Sequence, residues 1–199
     1  LRPYDERFDA LLAHAARVFA QRGYDRTTMR DLAAASGMSL AGIYYYVRGK
    51  EDLLAHIQER CFTQVLEGSD AALAAEGILD PLERLAAFIR HHVTFFAGHM
   101  PEMKVLSHEA AALTGDRQRR INHIKRRYVD RLEGLLRDAA PDQMPAERSA
   151  AAYALFGMMN WIYNWYDPAG PLDAGRLADL LTRLFLGGFA EVRSPVQGG

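Results

Sequence analysis

Histidines, a lone cysteine and a run of arginines offer this chain's most reactive side chains. His91, His92 and His99 fall in one helical segment and His108 just beyond it. Adjacent residues diverge by about 100° around a helix, so His91 and His92 cannot hold one ion together, and His92 and His99 stand two turns apart. The H-E-x-x-H spacing that places two ligands on one face is missing. No G-x-S-x-G, P-loop or G-x-G-x-x-G occurs, and Cys61 has no neighbouring mark of a nucleophile. The expectation is therefore no catalytic residue, no metal and no cofactor, and the protein is not read as an enzyme.

A different chemistry sits in "MRDLAAASGMSLAGIYYYVRGKEDLL", residues 29–54. Two short helical segments flank Gly37, as a helix-turn-helix requires of a turn residue with positive φ, and Ala33 is small enough for the two to cross closely. Thr28 and Asp31 form a capping box for the first segment, and Ser39 can cap the second. The N-terminal residues of such a second helix, here Ser39, Leu40, Ala41 and Gly42, enter the major groove of duplex DNA. Tyr44 and Tyr45 can direct hydroxyls to phosphate oxygens, and Lys50 opens the next helix, where N–H groups and dipole suit an anion. Thr28 and Arg30, around the start of the first segment, complete the candidate DNA-binding set. Tyr46 is read as core.

These elements need a scaffold, and the rest of the chain supplies only helical apolar spacing. The fold class is all-α, with about nine helices: an N-terminal three-helix helix-turn-helix domain over residues 1–50 and a helical ligand-binding and dimerisation domain over 51–199. Helices are expected over 5–22, on either side of Gly37, from about Lys50 to Gly77, from Pro81 after an Asp80 cap to a break near Pro101, through a short segment to Leu113, and over 116–139, 145–166 and 173–192. The tail from Ser194 is expected to fray. At 49% hydrophobic residues the 199-residue chain can bury a full core. The single cysteine excludes an internal disulfide, and no signal peptide or membrane span is legible, so the expected location is the cytoplasm.

Charge is unevenly spread. Residues 104–137 hold nine Lys or Arg against four acids, whereas residues 1–60 hold nine against eight. DNA affinity must then come from placement and from two half-sites rather than from net charge. The stretch "FGMMNWIYNWYDPAG" (156–170) is apolar around nearly its whole circumference and is expected to be buried on every side, one face lining a cavity and another meeting a second subunit. Asn160 and Asn164, one turn apart within it, must find hydrogen bonds. Leu177, Leu180, Leu181, Leu184, Phe185, Leu186 and Phe189 give the last helix more apolar surface than one core stripe needs, which fits a four-helix bundle completed by a two-fold mate.

The pattern G-Y-x-x-T-T-M-R-D-L-A-A-A-S-G-M-S-x-A-G-I-Y-Y-Y-V-x-G-K-E-D-L-L resembles the DNA-binding domain of the tetracycline-repressor (TetR) family, over residues 5–54. The resemblance implies a homodimeric transcriptional regulator that binds a pseudo-palindromic duplex operator and releases it when a small effector enters the C-terminal domain. Val47 stands where the family usually has Phe, and Arg48-Gly49 where Ser or Asn is common, which bears on operator preference. The string F-G-M-x-N-W-x-x-x-W-Y-x-P-x-G is similar to the subgroup that responds to acyl-CoA thioesters of fatty-acid and sterol breakdown. An acyl-CoA needs an apolar tunnel, for which Phe88, Phe95, Phe96, Met103, Phe156, Met159, Asn160, Trp161, Tyr163 and Trp165 are candidates. It also needs cations for its phosphates, for which Arg117, Arg119, Arg120, Lys125, Arg126 and Arg127 are candidates. A free aromatic or lipophilic compound is the other effector class. The alternatives to a regulator are a helical enzyme or carrier whose N-terminal unit is only structural, and an architectural nucleic-acid binder using Arg119 to Arg127.

Overall fold

The computed structural model describes residues 3–75, 77–109 and 112–192, with side chains from residue 6 to residue 188 apart from 75–76 and 110–111. Every regular element among the described residues is a helix, without a strand: α1 (Pro3–Arg22), α2 (Met29–Ser36), α3 (Leu40–Tyr46), α4 (Lys50–Ala75), α5 (Pro81–Ala97), α6 (Met100–His108), α7 (Gly115–Ala139), α8 (Pro145–Asn160), a 3-10 turn (Trp161–Asn164) and α9 (Ala174–Val192). Two compact units emerge, and neither follows a single cut in the chain. One gathers residues 1–63 and 99–124, the other 64–98 and 125–199. The expected fraying of the tail and the burial of Phe189 concern positions outside the described side chains.

In the first unit, α1 packs on α2 and α6. Helices α2 and α3 have only eight and seven residues, well short of the roughly 12–15 an isolated helix needs to persist in water. Each is therefore pinned at its ends. Thr28 and Asp31 close the capping box, with Thr28 N–H donating to Asp31 Oδ2 at 2.9 Å and Asp31 N–H to Thr28 Oγ1 at 3.2 Å. The Thr28 hydroxyl, which donates to Asp31 Oδ2, and then the Thr28 N–H hold the Asp31 carboxyl below its usual range. Ser39 Oγ accepts from Gly42 N–H at 3.0 Å. Gly37 ends α2 at φ 69°, a left-handed conformation that costs a side-chain-bearing residue about 1–2 kcal/mol. Leu32, Ile43 and Val47 then join Leu11, Ala15, Phe19, Leu53 and Leu54 in one buried cluster.

The second unit packs α5 on α9 and α8, and α8 on α9. Asp80 caps α5 by accepting from Leu82 and Glu83 N–H, both at 2.9 Å, with Pro81 in the first turn. Phe88, Ile89, Leu132, Leu155, Met159 and Leu177 are fully buried. Gly68 on α4 leaves room for the His91 ring; a Cβ there would stand 2.5 Å from His91 Cε1. His91 Nε2 then donates to the Val65 carbonyl at 3.2 Å.

The break expected within residues 98–102 falls at Gly98–His99, and Pro101 sits in the first turn of α6, where a missing N–H costs nothing. One helix end is corrected. The helix expected over 145–166 stops at Asn160 and tightens into the 3-10 turn. Pro168 disfavours helical geometry at Asp167, so the chain must leave the helix before it. Within the aromatic stretch of the single chain Met159 and Ile162 are buried while Trp161 is 60% and Trp165 53% exposed, an exposure compatible with the expected second-subunit face.

One polar group lies among the rings of this core. His92 is buried between Tyr128, whose hydroxyl is 3.0 Å from Nδ1, and Asn160, whose Oδ1 is 3.0 Å from Nε2. Asn160 Oδ1 can only accept, so Nε2 carries the proton and Nδ1 accepts from the tyrosine. A neutral imidazole satisfies both contacts, and burial, which disfavours the charged ring, pushes its pKa down to about 3. The unfolded chain, with a histidine pKa near 6.5, binds more protons between about pH 3 and about pH 6.5. The contribution of His92 to stability is thus complete above that window and is lost as pH falls through it. His91, also lowered by burial, acts in the same direction. The thermal unfolding midpoint should fall between about pH 7 and about pH 5, and His92→Gln should lower it at neutral pH while removing up to about 1.4 kcal/mol per pH unit of the slope. An unchanged slope in that variant would show that His92 is not held neutral.

Candidate DNA interface and effector core

The turn residues of the first unit decide what α3 shows to solvent. With Ile43 and Val47 turned into the core and the α3 C-cap N–H of Val47 closed on Ile43 O at 3.1 Å, the opposite face presents Tyr44 (52% exposed) and Tyr45 (73%). Ser39, Leu40 and Ala41 are exposed at the other end of the same helix, and Gly42 is half-buried. A Cβ on Gly42 would lie 3.2 Å from Ser39 Oγ, so glycine there protects the cap as well as allowing close approach. Tyr46 leaves this surface and stacks on Phe8, with ring centroids 5.4 Å apart and planes 9° apart. Thr28 and Arg30 are exposed at the start of α2. The Thr28 hydroxyl is already engaged, donating to Asp31 Oδ2 at 2.6 Å.

Lys50 is the residue whose environment differs most from expectation. Its ammonium donates to the carbonyls of Tyr24 (2.9 Å), Asp25 (3.1 Å) and Thr27 (3.3 Å), and stands 4.3 Å above the Tyr24 ring. Three carbonyls and a π-face saturate the three N–H bonds of an ammonium. The side chain fastens the α1–α2 turn to α4 rather than waiting for an anion.

The effector candidates divide between the two units. Phe88, Phe96, Phe156 and Asn160 surround His92: His92 and Phe96 are 4.7 Å apart between ring centroids, His92 and Phe156 5.9 Å, Tyr128 and Phe156 5.7 Å, and Phe88 and Tyr128 5.1 Å. Met159 is buried in the same unit, and Phe95 stands edge-on to Phe96. Tyr163 packs on exposed Trp161, and Trp165 on Tyr166. Met103 is buried on α6, in the first unit. Arg119 and Arg120 also belong to the first unit and Arg126 to the second; all three are exposed, and Arg119 is paired with Asp116.

Sequence reasoning missed the pairing of His92 with Tyr128 and Asn160, and that of Arg117 with Asp52. The partners lie 36 and 68 positions from His92 and 65 from Arg117. No local spacing announces such bonds. Burial leaves Cys61 with a thiol pKa pushed well above its usual range, an unreactive core residue. Among the described residues no group of His, Cys, Asp and Glu is arranged to hold a metal ion, and no helix is long and apolar enough to cross a membrane.

Known proteins share this organisation. Residues 11–57 match the tetR family of bacterial regulatory proteins, and residues 78–189 match the tetracyclin repressor-like C-terminal domain. The HTH-type transcriptional repressor KstR2 of Mycolicibacterium smegmatis is 26% identical over 191 residues, covering 93% of this chain and 91% of that protein. The fatty acid metabolism regulator protein of Bacillus subtilis is 26% identical over 122 residues, 61% of this chain and 62% of that protein. A crystal structure of AibR in complex with isovaleryl coenzyme A and operator DNA aligns with a TM-score of 0.78 at 34% identity, covering 89% of this chain and 97% of that one. With a helix-turn-helix capped and buried as described, and a C-terminal match that alone spans more than half its length, this chain belongs to the tetR family of bacterial regulatory proteins.

Proposed function

We propose that the protein is a transcriptional repressor that binds a pseudo-palindromic operator as a homodimer and releases it on binding an acyl-CoA thioester. Residues 1–50 serve as the DNA-binding domain and 51–199 as the ligand-binding and dimerisation domain. The observation that carries the DNA-binding reading is the face of α3, where two tyrosine hydroxyls and a Ser39-capped N-terminus are presented while Ile43 and Val47 anchor the helix from behind. Tyr44 and Tyr45 supply phosphate contacts, and Leu40, Ala41 and Gly42 face base edges. The ammonium of Lys50 acts by shaping the turn.

The homodimer reading is supported by apolar side chains left in solvent on the second unit. Leu180 and Leu184, one turn apart on α9, are exposed, as are Tyr153 on α8, Trp161 and Trp165. Exposed side chains of this size are suited to a partner surface, and a second copy also supplies the second half-site that a weakly basic domain needs.

The acyl-CoA reading draws on two features. The aromatic core around His92 offers apolar walls with a few convergent polar groups, the usual make-up of a small-molecule site. In the same unit Arg126 carries an exposed guanidinium group, suited to a phosphate. AibR, 34% identical, binds isovaleryl coenzyme A and operator DNA in its crystal structure, and the Bacillus subtilis relative is a fatty acid metabolism regulator.

Three measurements test these assignments. Against duplex from the protein's own upstream region, Tyr44→Phe should weaken operator and random duplex alike, roughly three- to tenfold for one lost phosphate bond, whereas Ala41→Ser should alter which sequences bind. A change of base preference at Tyr44→Phe with affinity intact would reverse the roles. Sedimentation at micromolar protein should give a dimer, and Trp165→Asp combined with Leu184→Glu a folded monomer; a monomeric wild type would remove the dimer. Acyl-CoA thioesters of several chain lengths should dissociate the operator complex while the matching free acids do not. Equal potency of acid and thioester would replace the CoA class by a free lipophilic acid.

A further inference from the structure

The first turn of α4 is held from three directions. Lys50 binds the carbonyls of the α1–α2 turn. Asp52 Oδ2 accepts from the backbone N–H of Arg48 at 2.8 Å, so it holds the chain just where it leaves α3. The other carboxylate oxygen of Asp52 pairs with Arg117 from the first turn of α7, and the same guanidinium reaches Glu51 Oε1 at 3.4 Å. Asp52 is only 13% exposed and Arg117 31%, so water screens this contact far less than a rim ion pair. One turn along α7, Ile121 is buried in the cluster that contains Ile43, Val47, Leu53 and Leu54.

We propose that Arg117 is a positioning residue for operator recognition: through Asp52 it fixes the exit of α3 and hence the angle at which that helix meets DNA. The inference rests on the operator-binding reading given above. Two acids in the first turn of a helix are already favoured by its dipole, so α4 does not need Arg117 in order to be helical. What the arginine adds is a tie between that turn and α7. A planar guanidinium can span two neighbouring carboxylates in one fixed geometry, which an ammonium cannot reproduce. Because Asp52 uses its second oxygen on Arg48 N–H, any shift of Arg117 is passed to the residue that follows the α3 cap.

The test uses the full chain, operator duplex and random duplex of equal length at two salt concentrations, with melting curves for each variant. Arg117→Ala should weaken operator binding about tenfold and random-duplex binding by less than about twofold, with the salt slope of the wild type. Arg117→Lys should recover part of the loss. Asp52→Asn, which keeps the acceptor for Arg48 N–H but not the charge, should behave like Arg117→Ala, and the double variant should be no weaker than either. Should Arg117→Ala fail to fold, the Lys and Asn variants carry the same comparison. Operator affinity equal to wild type in the folded variants, or additive losses in the double variant, would overturn the proposal. A parallel loss on both duplexes with a salt slope reduced by about one would make Arg117 a phosphate contact instead. A wild-type chain that does not distinguish the duplexes would remove the operator reading itself.

Discussion

Helices α2 and α3 are too short to exist alone, and their dependence on caps and on the buried cluster shapes the whole first unit. Eight and seven residues cannot repay helix nucleation from their own hydrogen bonds. Leu32, Ile43 and Val47 must be buried against α1 and α4, and that burial decides which side chains remain outside. Tyr44 and Tyr45 are exposed because Ile43 and Val47 are not. The functional surface is in this sense the residue of a packing problem, with positions fixed by periodicity once the anchors are placed.

The same logic explains why so many charged groups near the DNA-binding helices are occupied with the protein itself. Lys50, Asp31, Asp52 and Arg117 all serve turns or helix starts. A backbone that changes direction several times within about thirty residues leaves carbonyls and N–H groups unpaired at each corner, and side chains close by are the readiest partners. Net charge therefore says little about this unit, since a good part of it is spent on geometry.

In the second unit the uncommon feature is His92, a polar ring with both nitrogens satisfied inside an aromatic core. Such a network is costly if any member is lost, because the remaining groups stay buried without partners. It also gives an otherwise greasy core a direction. A ligand carbonyl or amide that took the place of one partner would find the other already oriented.

Periodicity and capping chemistry are local, and they made most of the fold legible. Gly37 at its left-handed turn, the Thr28–Asp31 box, Asp80-Pro81 and the breaks around 98–99 and 140–144 follow from short-range sterics and hydrogen bonding, so the helix order could be read along the chain. The exposed tyrosine pair was legible for the same reason. The end of α8 was not, because the choice between α and 3-10 winding before Asp167-Pro168 depends on tertiary packing around Met159 and Ile162. Nor was the fate of Lys50, whose partners lie some 23 to 26 residues away. The sequence alone determined which residues could cap, turn and face inward. Only the tertiary structure decided which polar groups meet across tens of residues, since those pairings are set by how helices pack and not by their spacing along the chain.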